Sequence, residues 1–262
     1  MLTDRQYESF EIVLDHNRDP RPDKVHIGLV QLSTDHTLET EWAKLSGSSA
    51  MVFSNRVYYS SVLTPKALND IAAGITRAAE MIASGLSMDV MAFGCTSASM
   101  VIGSRKIEAL LTAHHPGIPA TNPWEAAKAA FSHLGARKIA VFLPYPTEVN
   151  FPLYRELCKE GFEIPAIGAL RIPNDTDITA VSRDSLFKGA EKLLQQADAD
   201  ALFFSCTNLR VLDHISALES QFGLPIVSSN QAMFWHAMTL AGKPPQCKGY
   251  GRLLNGSTYW GR

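Results

Sequence analysis

Short apolar runs alternate along this chain with longer stretches in which apolar residues recur at the spacing of a helix. The short runs have the composition of buried parallel strands, and the longer stretches suit the helices that connect such strands. This alternation predicts an α/β fold with parallel sheets. The predicted strands are residues 25–32, 90–93, 138–143, 201–204 and 224–227. The predicted helices are residues 65–83, 107–113, 149–160, 183–196 and 230–240, with one more beginning at Asn122-Pro123.

The second half of the chain repeats features of the first half. An Asp, a short apolar run, a small residue and then Cys-Thr occur in residues 89–96 and again in 200–207. A Gly-x-Pro sequence follows at 117–119 and at 223–225. The repeat predicts two similar, flavodoxin-like halves related by a pseudo-twofold axis, with the active site in the cleft between them. The expected domains are an N-terminal arm of residues 1–24, a first half of 25–121 with 229–262, and a second half of 122–228.

Cys95 and Cys206 are the candidate catalytic residues. Each follows a predicted strand and precedes polar residues that suit the first turn of a helix. A thiol at a helix N-terminus lies in a positive field and loses its proton more easily. A lone free cysteine is more often a small core residue. The duplicated context instead favours two thiols that face one substrate from opposite sides.

The residues after the two cysteines, Thr96-Ser97 and Thr207-Asn208, suit helix caps. Their backbone N–H groups and side chains also suit an anion nest for a carboxylate, and the two interpretations are compatible. Asp35 follows the first predicted strand, where a site residue and a helix cap are equally expected. Tyr145 occupies the matching loop of the second half, where a tyrosine between prolines often only packs against the turn.

Composition narrows the function classes. Hydrophobic residues make up 46% of the chain and charged residues 19%, which is typical of a folded globular protein. A net charge of −2 gives no broad attraction to nucleic acid or to an anionic membrane. The charged N-terminus lacks the apolar core of a signal peptide, and no apolar stretch approaches the about 20 residues of a membrane helix. A cytoplasmic protein with free thiols is expected. No motif calls for a metal or an organic cofactor, so none is expected.

The paired Cys-Thr turns in duplicated α/β halves resemble the aspartate/glutamate racemase superfamily. Within it, residues 205–210, Ser-Cys-Thr-Asn-Leu-Arg, resemble the second-cysteine motif of maleate cis-trans isomerases. Residues 225–235 and 249–253 are similar to the branch of maleate isomerases and arylmalonate decarboxylases. The resemblance runs from about residue 25 to residue 253. It implies a cofactor-independent isomerase or racemase of a small carboxylic acid that uses two opposed cysteines.

Two positions depart from these families. Arylmalonate decarboxylases have a glycine at the position of Cys95, so the chain favours two-thiol chemistry over decarboxylation. Maleate isomerases typically have Asn at the position of Asp35, and an Asp there repels a carboxylate unless it is protonated. Glutamate and aspartate racemases show an Asp in this loop, and the racemase-like protein of ectoine utilisation, a subgroup of this branch, is expected to share it. Asp35 would pair with a substrate ammonium group or assist proton transfer at Cys95.

The resemblance implies a role for each candidate. Cys95 and Cys206 act as acid and base or as nucleophile, and Asp35 and Tyr145 assist or orient. The residues expected to hold the substrate carboxylate are Thr96, Ser97, Thr207, Asn208 and Ser229. Two alternatives stay open: a malonate-type decarboxylase that needs only Cys206, and a non-catalytic protein that binds a small acid. The substrate is left open, as is a homo-oligomer in which the N-terminal arm docks on a neighbouring subunit.

Overall fold

The computed structural model describes residues 1–17, 23–245 and 247–256. The strands are β1 Val25–Leu32, β2 Ala50–Val57, β3 Val90–Gly94, β4 Ala120–Thr121, β5 Ile139–Leu143, β6 Ile167–Ala169, β7 Ala201–Phe204 and β8 Ile226–Ser228. The α-helices are α1 Asp4–Phe10, α2 Leu38–Ser46, α3 Pro65–Asp70, α4 Ala72–Glu80, α5 Thr96–Ile102, α6 Ser104–Thr112, α7 Pro123–His133, α8 Thr147–Lys159, α9 Arg183–Leu194, α10 Ile215–Phe222 and α11 Ser229–Leu240. Short 3-10 helices span Asp175–Ala180, Leu212–His214 and Arg252–Leu254.

The strands form two four-stranded parallel sheets of the same design. The first sheet has the order β2-β1-β3-β4 and the second the order β6-β5-β7-β8. Strands β1, β3, β5 and β7 are buried along their whole length, as expected of strands with helices on both faces. The predicted α/β fold with two similar parallel-sheet halves is therefore confirmed.

The duplicated Asp that precedes each cysteine-bearing strand fixes the start of the neighbouring strand. The Asp89 carboxylate accepts the backbone N–H of His26 at 2.7 Å. The Asp200 carboxylate accepts the backbone N–H groups of Arg137 and Lys138, both at 2.8 Å. Each Asp thereby satisfies backbone donors where the chain enters the central strand of its sheet. The repeated Asp is a structural feature of the fold.

The duplicated Gly-x-Pro sequences play matching roles at the sheet edges. Gly117 and Gly223 turn the chain at φ values of 80° and 75°, in the left-handed region that favours glycine. The carbonyl groups of Pro119 and Pro225 then accept hydrogen bonds from the second residue of β3 and of β7. These contacts bring β4 and β8 into their sheets.

Most elements lie where the periodicity predicts them. Strands 25–32 and 201–204 are reproduced without change, and Asn122 caps α7 by accepting the N–H groups of Trp124 and Glu125. The predicted helix over 65–83 is instead two helices that meet at Ile71. Strands β2, β4 and β6 were missed because β2 and β6 are half-exposed and β4 has only two residues.

Helix α11 connects the two halves. It leaves strand β8 of the second sheet and packs against α7, β3 and α2. The Trp42 and Phe234 rings meet edge to face with centroids 5.5 Å apart, and the Trp42 indole N–H donates to the Asn230 carbonyl at 3.0 Å. This packing places the first turn of α11 between the carboxyl ends of both sheets.

The ends of the predicted domains are only partly described. Residues 18–22 of the predicted arm lie outside the described residues, as do 246 and 257–262 of the predicted C-terminal return. In the described part of the arm, helix α1 has no buried residue. The domain boundaries therefore stay a prediction.

Candidate active site

Five loops at the carboxyl ends of the strands carry the predicted site residues. These loops follow β1, β3, β5, β7 and β8, and their buried side chains are Asp35, Cys95, Tyr145, Cys206 and Ser229. Because the carboxyl ends of parallel strands share one edge of a sheet, the topology gathers residues that are distant in sequence. The two sulfurs are almost fully enclosed, with Cys95 5% and Cys206 4% exposed.

One serine hydroxyl joins the two cysteine turns. Ser229 Oγ accepts a hydrogen bond from Thr96 Oγ1 at 2.8 Å and another from the backbone N–H of Cys206 at 3.0 Å. Thr96 directly follows Cys95, so the two thiol-bearing turns lie within one side chain of each other. Ser229 is positioned by α11, whose N-terminus is capped by Ser228.

Cys95 lies at the N-cap of α5, as predicted. Its sulfur is 3.6 Å from the Ser97 hydroxyl. Burial, followed by the negative charge of Asp175, raises the pKa of the Cys95 thiol to about 12. The Ala98 N–H and the Ser97 hydroxyl act in the opposite direction but do not offset burial.

Cys206 has a similar environment. Its sulfur accepts the backbone N–H of Asn208 at 3.4 Å. Burial, followed by Asp175, raises the pKa of the thiol well above its ordinary value, and the Asn208 N–H and the Tyr145 hydroxyl oppose this. Burial, followed by Cys206 and Cys95, raises the pKa of the Tyr145 hydroxyl well above its ordinary value, so Tyr145 stays neutral near both thiols.

Two expectations about the thiols are wrong. No helix begins at Cys206, because residues 207–209 form turns and bends and the next helical segment is the 3-10 helix at Leu212–His214. The thiols are also not acidified by their positions. Burial of the two sulfurs beside buried carboxyls raises the thiol pKa values by more than the field of the short helix α5 lowers them.

Asp35 caps helix α2 through only one of its two carboxylate oxygens. Its Oδ1 accepts the backbone N–H groups of Thr37 at 2.9 Å and Leu38 at 2.8 Å, at the start of α2. Its Oδ2 is buried and has no hydrogen-bond partner among residues 1–17, 23–245 and 247–256, although the Thr207 side chain lies near enough to lower the pKa of the carboxyl. Burial dominates and raises the pKa of the carboxyl. The capping interpretation is confirmed for Oδ1.

Asp175 is a site residue that the sequence did not reveal. It is 5% exposed and lies in the 3-10 helix that follows β6. Its Oδ2 accepts the Thr34 hydroxyl at 2.6 Å and the Asn208 amide at 2.9 Å. Burial, with a contribution from Asp35, raises its pKa to about 7. The only signal was its position in a loop after a strand, and that three-residue strand was itself missed.

The Asn208 side chain ties the two halves together. Its Oδ1 accepts the backbone N–H of His36 at 2.9 Å, and its amide donates to the Thr34 carbonyl at 3.1 Å as well as to Asp175. The Thr37 hydroxyl donates to the Asn208 carbonyl at 3.1 Å. The amide that was expected to hold a substrate carboxylate is thus engaged with a carboxyl of the protein.

Tyr59 is a second aromatic side chain at the site that the sequence did not indicate. It follows the missed strand β2, is buried, and donates its hydroxyl to the Val62 carbonyl at 2.8 Å. Burial, then Cys95 and Asp175, raise the pKa of its hydroxyl. Tyr59 therefore stays neutral beside the thiols.

A buried glutamate supports the turn after Cys206. Glu41 accepts the backbone N–H of Leu212 at 3.1 Å and the Asn230 amide at 2.8 Å. The same amide donates to the Thr207 carbonyl at 2.8 Å. Burial raises the pKa of Glu41 to about 7. This network holds the second cysteine turn against α2 and α11.

A surface cavity of about 440 Å³ lies apart from the thiols, beside α6, α7 and α11. Its lining includes Thr121, Asn122 and His236 but neither Cys95 nor Cys206. The buried cluster of thiols, carboxyls and hydroxyls carries the chemistry better than this cavity. In the described part of the chain, no helix combines the length and the apolar character needed to cross a membrane.

Comparison with known sequences gives a consistent picture. A family model described as arylmalonate decarboxylase matches residues 36–254. Arylmalonate decarboxylase of Bordetella bronchiseptica is 32% identical over 143 residues, which are 54% of this chain and 60% of that protein. Maleate isomerase of Nocardia farcinica is 27% identical over 241 residues, which are 87% of this chain and 94% of that protein.

Solved structures show the same fold. The maleate isomerase Iso of Pseudomonas putida S16 has a TM-score of 0.81 at 24% identity, covering 88% of this chain and 98% of its own. A double mutant of arylmalonate decarboxylase in the liganded form has a TM-score of 0.81 at 25% identity, covering 89% and 100%. A Nocardia farcinica maleate cis-trans isomerase mutant with a covalently bound succinylcysteine intermediate has a TM-score of 0.80 at 24% identity, covering 89% and 99%.

Proposed function

Because the chain belongs to the arylmalonate decarboxylase family, we propose that it is a cofactor-independent isomerase or racemase of a small carboxylic acid. The predicted relationship to maleate isomerases and arylmalonate decarboxylases is confirmed. The relatives named maleate isomerase support an enzyme of the isomerase class. The narrower ectoine-utilisation subgroup stays a prediction.

The observation that carries this proposal is the Ser229 hydroxyl, which accepts hydrogen bonds from both cysteine turns. It brings two buried thiols from different halves to one place. A single thiol would serve as a core residue or as one acid. Two opposed thiols supply a base on one face of a substrate carbon and an acid on the other.

Racemisation would proceed by two proton transfers. The thiolate of one cysteine takes the α-proton, and the electron pair of the broken C–H bond passes into the carboxylate to give an enediolate. The opposite thiol then gives its own proton to the other face, and the electron pair returns to the α-carbon. One cysteine ends protonated and the other ends as thiolate, so charge is conserved.

Cis-trans isomerisation would use the same residues differently. One thiolate adds to an alkene carbon, forming a C–S bond, while the π electrons pass into the conjugated carboxylate. Rotation follows about the new single bond. The electrons then return, the alkene re-forms and the C–S bond breaks, restoring the thiolate. Maleate isomerases among the relatives favour this route.

Both routes build negative charge on a carboxylate, which needs donors aimed at it. We assign this task to the first turn of α5, with Thr96 and Ser97, and to Thr207 and Ser229. Asn208 would join them only by exchanging its bond to Asp175, so we give it a positioning role as well. Tyr145 would orient the Cys206 sulfur.

The experiment is proton NMR in D2O with small acids: maleate, the enantiomers of aspartate and glutamate, diaminobutyrate derivatives and an arylmalonate. Wild type is compared with Cys95→Ser and Cys206→Ser, and with Cys158→Ser, whose thiol is exposed on α8. We expect α-deuteration or fumarate formation that both buried-site variants lose by at least 100-fold and the control retains.

The decarboxylase alternative requires only Cys206 and rests on the relative of that name. Loss of CO2 from an arylmalonate that survives Cys95→Ser would favour it. The binding-protein alternative predicts tight binding without turnover. Thiol alkylation over a pH series that shows two ordinary thiols, with bound acid present, would support that alternative and oppose catalysis.

We also propose the setting in which the enzyme works. A net charge of −2 and four free cysteines fit a cytoplasmic protein with a small acid as substrate and with neither nucleic acid nor membrane as partner. A homo-oligomer is proposed because helix α1 exposes its side chains. The division into residues 1–24, 25–121 with 229–262, and 122–228 belongs to the same proposal.

A further inference from the structure

Two buried carboxyls, one from each half, lie near the thiols, and each has one oxygen held by hydrogen bonds. Asp35 comes from the loop after β1 and Asp175 from the segment after β6. In each, one oxygen is held: Asp35 Oδ1 by two backbone N–H groups, and Asp175 Oδ2 by a hydroxyl and an amide. Asp35 Oδ2 is buried and has no hydrogen-bond partner among the described residues. The side-chain donors that bind the Asp175 carboxylate, Thr34 and Asn208, both reach Oδ2. In the described part of the chain, each carboxyl therefore keeps one oxygen as an acceptor for a ligand.

Among the described residues, neither carboxyl has an ion-pair partner. Within the described residues, no Lys, Arg or His lies within ion-pair distance of Asp35 or Asp175. The nearby Arg56 guanidinium donates to the backbone carbonyls of Asp35 at 2.7 Å and Leu32 at 3.0 Å, and pairs with Glu39 on the surface. Arg56 thus acts on the Asp35 carboxyl only as a nearby positive charge, and burial, the larger effect, still raises the pKa of that carboxyl.

We propose that Asp35 Oδ2 and Asp175 Oδ1 together bind the ammonium group of the substrate, so that the enzyme acts on a small amino acid and discriminates against acids that lack an α-ammonium group, such as succinate and maleate. This inference rests on the proposed function and names its substrate class. Asp175 becomes a specificity-determining residue, and Asp35 acts in one pair with it.

Charge balance favours an ammonium group over a second carboxylate. A dicarboxylate would bring negative charge to two buried carboxyls and to a thiolate, and each pair of like charges in a poorly solvated site is costly. An ammonium group donates three hydrogen bonds and accepts none, which suits two empty acceptor oxygens. It also places positive charge beside the sulfurs.

The same charge explains how these thiols are activated. Burial, and after it the negative field of Asp175, raises the pKa of both thiols. An ammonium group bound by the two carboxyls offsets the field of Asp175 and so favours a thiolate when the substrate is in place. The two carboxyls thereby make the thiols easier to ionise with the substrate bound than without it.

The competing arrangement is a pair of protonated carboxyls that donate to a substrate carboxylate. The test uses compounds that differ only in the amine: L-aspartate against succinate, L-glutamate against glutarate, and 2,4-diaminobutyrate against 4-aminobutyrate. Binding is measured by calorimetry and turnover by α-deuteration in D2O, with maleate as a further probe. The variants are Asp35→Asn, Asp175→Asn, the double variant, and Asp177→Asn as an exposed control from the same segment.

We expect the compounds with an α-ammonium group to bind at least tenfold more tightly than their partners. Each single Asn variant should lower kcat/KM for the amino acid at least tenfold, and the double variant at least 100-fold. The double variant should gain affinity for succinate or maleate, a gain that a merely structural role would not produce. Asp177→Asn should match wild type.

Three results would overturn the inference: compounds without the α-ammonium group that bind as well as the matching amino acids, Asn variants that lose binding of both classes equally, or no binding of any of the three amino acids. Maleate turnover that needs both cysteines would reject the ammonium site and keep the proposed function. Asp-dependent binding of an amino acid without deuteration would keep the ammonium site and reject the proposed function.

Discussion

Asp175 shows how a single buried carboxyl couples the site to stability. Its oxygen is held by Thr34 and Asn208, yet burial raises its pKa to about 7 from an ordinary 3.8. The folded state therefore keeps a proton that the unfolded state releases above about pH 4. The free energy of unfolding falls as pH rises from 4 to 7 and is flat above that window. The buried Glu41 acts in the same direction.

Asp175→Asn should reduce this pH dependence. The Asn side-chain oxygen still accepts from Thr34 and Asn208, while the ionisable group is gone. The raised pKa of this carboxyl can change the free energy of unfolding by at most about 4 kcal/mol. Between pH 5 and pH 8, we expect the free energy of unfolding of the variant to rise by about 1–3 kcal/mol relative to that of wild type. Urea unfolding at both pH values measures it. Equal pH slopes in wild type and variant would contradict the assignment, and Asp177→Asn is the matched control.

Ser229→Ala removes the acceptor shared by Thr96 and the Cys206 N–H. Because two buried donors lose their partner, we expect a loss of about 1–3 kcal/mol in the free energy of unfolding. Turnover should fall at least tenfold because the two thiol turns lose their link. The control is Ser104→Ala, whose hydroxyl is buried without a partner, and it should change stability by less than about 0.5 kcal/mol. Unchanged turnover in Ser229→Ala would remove the link from the mechanism.

At the scale of elements, burial decided what the sequence could predict. Strands β1 and β7 are buried throughout, so their apolar runs were visible. Strand β6 has three residues of which none is buried, so neither it nor Asp175 beyond it could be found. The turn at Cys206 misled the prediction for another reason. Asn208 is bonded to residues of both halves, and such tertiary contacts override a local sequence that suits a helix.

The backbone N–H groups at the start of strand β5 allow a test at the same scale. Asp200→Ala removes the acceptor for two backbone N–H groups where β5 begins, and we expect a loss of about 1–2 kcal/mol in the free energy of unfolding. Asp198→Ala removes only an exposed ion pair with Lys138 and should cost less than about 0.5 kcal/mol. Chemical denaturation of wild type and both variants measures these losses. If the two losses were equal, the duplicated Asp would have no role in starting the strand.

At the scale of the whole molecule, backbone and side-chain contacts join the halves. Val62 and Asn174 form an antiparallel bridge, and the Asp175 N–H donates to the Ser61 carbonyl at 2.9 Å. Helix α11 adds its packing against the first sheet. The site is thus built by contacts that no local pattern encodes. The repeated context in the sequence predicts both cysteines as site residues, but it does not predict the buried carboxyl of Asp175 that acts on both thiols.

These contacts predict that the two halves unfold together. We expect far-UV circular dichroism and tryptophan fluorescence to give one coincident urea transition, because each half uses the other to bury its polar loops. Hydrogen exchange at β3 and at β7 should report the same opening free energy. Two separated transitions, or very different protection of the two strands, would show that the halves are energetically independent.

The near-complete enclosure of both sulfurs has a consequence for the order of events in one catalytic cycle. Cys95 is 5% exposed and Cys206 is 4% exposed, so a dissolved acid cannot reach either thiol in the arrangement described. In the proposed mechanism, a substrate can reach the thiols only after the loops around them open, and a product can leave only after they open again. Each turnover then contains two opening steps around one chemical step, and the rate of opening sets an upper limit on kcat.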